Sequence, residues 1–304
     1  MNNVAAIKST TFKRRDTLAG VLFSLPAIIG FLAFSAGPMV ASLVLSFTNY
    51  SISRPSSFIG FANYTELFSG QDSFFWSSVR VTLAFAAMNV PACILTAFVI
   101  ALLLNNKRLR GMTFLRAAFY IPSILPIIAT AMIFMWIMSP DFGLLNAILR
   151  ALHLPTSKWI YGNAVLPSLL LMTSWCSGNI MVVFLAGMQG IPNALYEAIE
   201  VDGGGTLRKF LHCTLPLMTP TIFFNTVMFL ISSMQAFLQA YIMTQGGPNN
   251  KTNFIVYYLY RVAFEFQDIG KAASLGWVLF AMILLVTGLL FWSSKYWVVY
   301  SDDN

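Results

Sequence analysis

Six apolar runs, each long enough to cross a bilayer, leave this 304-residue chain few ways to fold. They extend from Leu18 to Phe47, Val79 to Leu104, Leu115 to Met138, Ala164 to Gly187, Thr219 to Met243 and Ser274 to Trp297. A helix needs about 20 mainly apolar residues to span the hydrocarbon of a membrane. With 58% hydrophobic and 10% charged residues and a mean hydropathy of +0.73, the chain carries more apolar surface than one soluble core hides. The expected fold is an all-α membrane protein with six transmembrane helices. Residues 1–17 form a tail, 18–297 one transmembrane domain containing a polar loop at 190–216, and 298–304 a second tail. The first run follows Lys13, Arg14 and Arg15 but is too long for the apolar region of a cleaved signal, about 7 to 15 residues.

Basic residues set the expected orientation, because Lys and Arg near span ends stay on the cytoplasmic side. Six spans place both termini together with Lys8, Lys13, Arg14, Arg15, Lys107, Arg108, Arg110, Arg116, Arg208, Lys209 and Lys295. The other side holds fewer: Arg54, Arg80, Arg150, Lys158, Lys251, Arg261 and Lys271. The termini and the loop at 190–216 therefore read as cytoplasmic. The net charge of +7 is a topology signal, and no basic cluster interleaved with aromatics points to nucleic acid.

Several chemistries are excluded. Cys93, Cys176 and Cys213 lack paired spacing, and His153 and His212 fall on opposite sides of the membrane, so neither a disulfide framework nor a metal site is expected. No run carries an internal Asp or Glu, the usual groups of a proton relay. No Ser/His/Asp set or His-Glu-x-x-His pair suggests an enzyme, and no Gly-x-x-x-x-Gly-Lys-Ser/Thr run suggests a nucleotide site. No catalytic residue, metal or cofactor is expected in this chain, and energy for uphill transport must come from another one.

The polar loop carries the most information. Pro192 suits the first turn of a helix, where its missing N–H costs nothing. Ala194, Leu195, Ala198 and Ile199 then share one face, with Glu197 and Glu200 on another. Gly203, Gly204 and Gly205 stop that helix at Asp202. Thr206 is the expected N-cap of a second short helix through Leu207, Phe210 and Leu211, ending near Leu215 because Pro216 biases its predecessor away from helical geometry.

Glu197-Ala198, Asp202-Gly203, Phe210 and Leu215-Pro216 resemble the cytoplasmic motif of ABC importer permeases, Glu-Ala-Ala, Asp-Gly-Ala, Phe, Ile-x-Leu-Pro. Phe58-Ile-Gly-Phe-Ala-Asn-Tyr64, Ala186-Gly-Met-Gln-Gly-Ile-Pro192, Gly246-Gly-Pro248 with Thr252, Tyr260 and Ala263-Phe264 extend the likeness to the carbohydrate-uptake, maltose-permease-type branch. Ile199, Gly204 and Cys213 depart from the consensus: Ile199 is bulkier than the family's alanine, and Gly204 adds flexibility.

The resemblance implies a type I ABC importer permease that forms half of a heterodimeric pore with a second homologous permease. Two cytoplasmic ATP-binding subunits would hold the ATP and Mg, and an extracellular or periplasmic solute-binding protein would deliver a sugar across a prokaryotic plasma membrane. It further implies that Glu197, Ala198, Asp202, Gly203, Phe210, Leu215 and Pro216 couple to the ATPases. The solute path in relatives lies on the third, fourth and fifth spans. Pro122 and Pro126 are read as breaking the third span here, and Ser123, Trp175, Ser177, Asn179, Phe229, Ser232, Ser233 and Gln235 are the candidate contacts. The competing readings are an ATP-independent carrier or channel, a membrane scaffold, and an importer of another polar solute such as a glycerol phosphodiester.

Overall fold

The computed structural model describes residues 17, 19–52, 55–106 and 111–299. Leu18, the basic residues Lys8, Lys13, Arg14, Arg15, Arg54, Lys107, Arg108 and Arg110, and tail residues 300–304 lie outside the described residues. The described residues are helical, with isolated bridges at Thr48–Phe58 and Ser51–Asp268 and no strand. Four helices are long and apolar enough to cross a membrane, or six spans if each of two bent pairs counts as one.

The chain divides into two compact units. The first comprises residues 1–65 and 262–277. Its main helix, α1, is Ala19–Leu45. Helix α2, Ala62–Phe68, begins in this unit and carries Asn63, whose buried amide donates to the carbonyls of Ser46 at 2.8 Å and Thr48 at 2.9 Å. Tyr64 donates to Ser46 Oγ at 2.8 Å, and its ring clusters with Phe47 and Phe61. The Phe-Ala-Asn-Tyr segment is thus an anchor for the chain leaving α1. Gly270 closes the unit: its N–H donates to Tyr50 O at 2.9 Å, and a Cβ there would run into the Thr48 carbonyl.

The second unit, residues 66–261 and 278–304, is organised around α3, Phe75–Leu104. It includes the bent pair α4, Met112–Ile124, and α5, Ile127–Ile137; α6, Leu144–Ala151; and the bent pair α7, Val165–Trp175, and α8, Gly178–Gln189. After these come α9, Asn193–Val201; α10, Thr206–Met234; α11, Ile255–Tyr260; and α12, Ile269–Ser294, whose C-terminal part belongs here. Helix α3 packs against α7, α8 and α10. A polar knot pins this crossing: Asn89 donates to Ser233 Oγ at 2.6 Å and accepts from Thr173 Oγ1 at 2.5 Å. Between apolar helices, such side-chain bonds fix register where hydrophobicity alone does not.

The runs read as the third and fourth spans are each a pair of helices joined at a bend. The third bends by 100° between α4 and α5. Pro126 holds Leu125 extended (φ −64°, ψ 137°) and ends α4. Pro122 does not break the span; it sits inside α4. The fourth bends by 50° between α7 and α8, at Cys176–Ser177.

The fifth span differs most. Helix α10 begins at Thr206 rather than Thr219 and continues through Pro216, so the second short helix does not end at Leu215. A wide π turn over Phe210–Thr214 explains this: Leu215 N–H bonds the carbonyl of Phe210, five residues back, opening the turn in which the proline ring would otherwise meet a carbonyl. Helix α1 uses the same device, a π turn at Leu32–Ala36 with Gly37 N–H on Leu32 O, directly before Pro38. Helix α10 then stops at Met234 instead of running to Met243, with Gln235 as its C-cap and a separate π turn at Ala240–Thr244.

Outside the spans, Asp72 caps the start of α3 by accepting from the N–H groups of Phe74 at 3.0 Å and Phe75 at 3.1 Å, and it also accepts the Tyr258 hydroxyl. Burial first, then that bond to Asp72, pushes the Tyr258 phenol well above its usual range. A folded-state pKa above the unfolded value of about 10 contributes stability below that pH, which is lost as pH rises. Tyr258→Phe is expected to cost about 1.5–3 kcal/mol at neutral pH, as for hydrogen bonds to charged groups. Thermal melts should show a shallower alkaline loss than in the wild type.

Candidate functional site

The loop at 190–216 is built on α9 and the first turns of α10. Pro192 is the N-cap of α9 rather than its first helical residue. Helix α9 ends at Asp202, as its glycines demand, and the ending is a two-bond C-cap: Gly203 N–H on Glu200 O at 3.0 Å and Gly204 N–H on Ile199 O at 2.8 Å. Gly203 takes φ +75°, a left-handed turn that costs other residues about 1–2 kcal/mol. Thr206 does not cap α10; Gly205 holds the N-cap position in extended geometry, and no side chain bonds there.

Two polar contacts lock α9 to α10. Lys209 Nζ sits 2.6 Å from Glu200 Oε2, and Tyr196 Oη lies 3.1 Å from Thr214 Oγ1. Burial raises the Tyr196 phenol above its usual range, opposed by its bond to Thr214. Beneath them, Phe210, Leu215, Tyr196 and Ile199 pack on a core of Phe98, Phe184, Met188, Cys213 and Met218. Phe210 and Leu215 therefore hold the loop from below, and Pro216 continues their helix. Glu197, Ala198 and Asp202 are exposed above it, beside Leu195, Val201 and Leu207. The apolar face of α9 is split: Ile199 packs, while Ala194, Leu195 and Ala198 face out.

The candidate solute contacts fall into three places. Ser123 and Asn179 meet where α4 crosses the start of α8, and Trp175 and Ser177 lie at the adjoining bend between α7 and α8. Ser123 Oγ donates to Asn179 Oδ1 at 3.2 Å and to Tyr120 O at 2.7 Å. Gly178 permits the crossing, since a Cβ there would lie 2.6 Å from Phe119 O and 3.0 Å from Tyr120 Cα. Trp175 leans on Phe134, and Trp175 and Ser177 line a cavity of about 290 Å³ with Thr96, Phe119 and Ser174. Ser177 is itself 4% exposed and bonds the Ser174 carbonyl. Phe229 and Ser233 belong to helix packing instead: Phe229 lies against Met234, Leu230, Ala86 and Val90, and Ser233 is 4% exposed and bonded to Asn89. Ser232 and Gln235 are exposed at the end of α10.

A family model described as the binding-protein-dependent transport system inner membrane component matches residues 90–299. The chain belongs to that family. YesP of Bacillus subtilis (strain 168), a probable ABC transporter permease protein, is 39% identical over 308 aligned positions, covering 100% of this permease and 99% of its own chain. SmoG of Agrobacterium fabrum, a permease protein of a sulfoquinovosyl glycerol transport system, is 32% identical over 278, covering 90% and 89%. A chain in the crystal structure of a bacterial alginate ABC transporter, in complex with a periplasmic protein bound to an alginate pentasaccharide, has the same fold, with a TM-score of 0.78 at 23% identity over 94% of this permease and 96% of that chain. This permease is thus a multi-pass transport subunit and not an enzyme.

The permease's departures at Ile199 and Gly204 form one matched pair. A Cβ on Gly204 would stand 2.5 Å from Ile199 Cγ2 and 2.7 Å from Ile199 O, so the bulkier residue occupies the space the glycine leaves. Gly204 is buried and cap-bonded, not a point of added flexibility. Gly204→Ala is expected to destabilise by about 1–3 kcal/mol, as overpacking does. Adding Ile199→Ala should recover part of the loss in a double-mutant cycle read by thermal melts.

Sequence reasoning missed Asn89, the Tyr196–Thr214 contact and the Glu200–Lys209 pair. Asn89 was visible as the one amide in the second apolar run, a residue type that binds helices together. The loop pairs carry no local signal, because they depend on how α9 folds back on α10.

Proposed function

We propose that this chain is one of two different permease subunits of an ATP-driven sugar importer. Residues 18–297 act as one permease domain with both termini cytoplasmic. A second homologous permease completes the pathway, two cytoplasmic subunits bind and hydrolyse ATP with Mg, and a solute-binding protein docks outside. The observation that carries this reading is the braced loop: Glu197 and Ala198 stand exposed on a helix stopped by a bonded glycine turn and tied to α10 by Lys209 and Thr214. A connector that transmits closure of distant subunits must be rigid and must expose its contact surface, and this one does both.

Within that reading, Glu197 pairs with a basic group of the ATPase, Ala198 allows close approach, and Gly203 sets the turn. Asp202 closes α9, while Phe210, Leu215 and Pro216 carry motion into α10. Ser123, Asn179, Trp175, Ser232 and Gln235 are the retained pathway candidates, with Ser177 beside them at the cavity wall. A sugar is favoured as solute because the relatives are named for sulfoquinovosyl glycerol and alginate, and exposed hydroxyl, amide and indole groups suit a polyhydroxylated ring.

Proteoliposomes holding the whole complex and its binding protein test this directly. Uptake of labelled oligosaccharides should require enclosed or added ATP on the cytoplasmic face. Uptake that proceeds without ATP would make the protein a self-contained carrier or channel.

A further inference from the structure

The hairpin between the third and fourth spans, Ser139 to Tyr161, is a firmly built piece with an apolar face turned outward. Its helix α6 carries Leu144, Leu145, Ile148, Leu149 and Leu152 on one side and Asn146 and Arg150 on the other. Leu145 packs inward, whereas Leu144, Ile148 and Leu152 stand exposed. Rigidity comes from Asn146, which is 1% exposed and uses its whole amide. It donates to Pro140 O and Ser157 O, each at 2.9 Å, and accepts from Ser157 N at 3.1 Å and Trp159 Nε1 at 2.8 Å. Arg150 reaches back to Asp141 O at 3.1 Å, and Gly143 leaves no room for a Cβ against Ser139. The exposed leucines and isoleucine are therefore held outward by construction.

Beside this helix lies a groove of about 570 Å³ lined by Met132, Met135, Trp136, Phe142, Asp141 and Tyr161. Its apolar wall continues the exposed side of α5, where Met132 and Trp136 are more than 60% exposed, onto Phe142 of the hairpin. Lys158 and Arg150 flank the hairpin, and Trp136, Trp159 and Tyr161 cluster at this end of the spans, the aromatic and basic composition of a membrane boundary. An amphipathic helix with such a face lies in the plane of the interface with its apolar side about 5–10 Å into the headgroup–acyl boundary.

We propose that the Ser139–Tyr161 hairpin is seated in the adjoining lipid leaflet, with α6 lying flat in the interface and a phospholipid acyl chain filling the Met132–Trp136–Phe142 groove. Lys158 and Arg150 lie where phosphate groups of that leaflet would meet them, while the apolar groove takes the chain. The seated hairpin fixes the bend between α4 and α5 relative to the membrane plane. The inference rests on the membrane-spanning character of the chain and is independent of which solute it carries.

The test places p-benzoyl-phenylalanine singly at Phe142, Ile148 and Ala147 of the assembled transporter in its host membrane. After irradiation, the adducts are identified by mass. Ala147 is the reporter for the other side of α6, and all three positions are exposed, so the label displaces no core residue. Phospholipid adducts at Phe142 and Ile148, several-fold above those at Ala147 and unchanged by added solute-binding protein, are expected. Cross-links to a protein chain at Phe142 and Ile148 would mean that a subunit covers this face and would overturn the proposal. Absence of adducts there, or equal lipid adducts at all three positions, would overturn it as well.

Discussion

Gly178→Val is expected to disable the permease more completely than any other single change in the membrane region. The Cβ would be forced to within 2.6 Å of the Phe119 carbonyl and 3.0 Å of Tyr120 Cα, and both are backbone that no side-chain rotation can move aside. The second half of the fourth span must then retreat from α4, breaking the Ser123–Asn179 bond and reshaping the cavity beside Trp175. Overpacking of a close crossing costs about 1–3 kcal/mol, and valine adds two methyl groups to the first clash. Thermal melts in detergent should show a clear loss of stability, with transport lost even where the chain still inserts. Gly178→Ala should give a milder version of the same defect. A valine variant that melts and transports like wild type would show that the two spans do not meet at this glycine.

Gly203→Val is expected to do the reverse, sparing the membrane region and disabling transport. Nothing lies within 4 Å of the Cβ position, so packing does not oppose the substitution. The backbone does, because φ +75° is left-handed and valine is among the residues that resist it most. A penalty of about 1–2 kcal/mol lowers the occupancy of the turn roughly 5–30-fold, and the two-bond cap onto Glu200 and Ile199 goes with it. ATP-driven uptake should fall by about that factor while membrane insertion and melting of the spans stay near wild type. Gly203→Asn, which tolerates this region better, should retain more transport than the valine variant. Loss of insertion in both would make Gly203 a folding residue and remove it from the coupling account.

The parts of the architecture that could be read beforehand are those whose cause is local. The end of α3 at Leu104 follows from its apolar run, although its start at Phe75 lies four residues before that run, and the stop of α9 follows from three glycines after Asp202. The bend at Leu125 is written in Pro126. Pro216 misled for a physical reason: a proline clashes with the carbonyl one turn back only if that turn is regular, and the π turn at Phe210–Thr214 is not. Whether such a turn forms depends on how Phe210, Cys213 and Leu215 seat on Phe98 and Met218, which no spacing rule contains. Ser233 misled differently. A serine in an apolar span is equally suited to a solute or to a neighbouring helix, and only the position of Asn89, 144 residues away, decides between them. Gly204 could not be understood alone either, since its role is to leave room for Ile199.

The central claim is that Glu197 and its neighbours dock an energy-supplying subunit, and one measurement reaches it without knowing the solute. The chain is tagged in its host, purified gently from membranes, and the co-purifying proteins are identified and counted, for wild type and for Glu197→Lys. The account predicts a second permease and a pair of ATP-binding subunits with the wild type, and loss of the ATP-binding pair, with the second permease retained, in the variant. Recovery of the ATP-binding pair undiminished with Glu197→Lys, or of the wild-type chain alone, would contradict it.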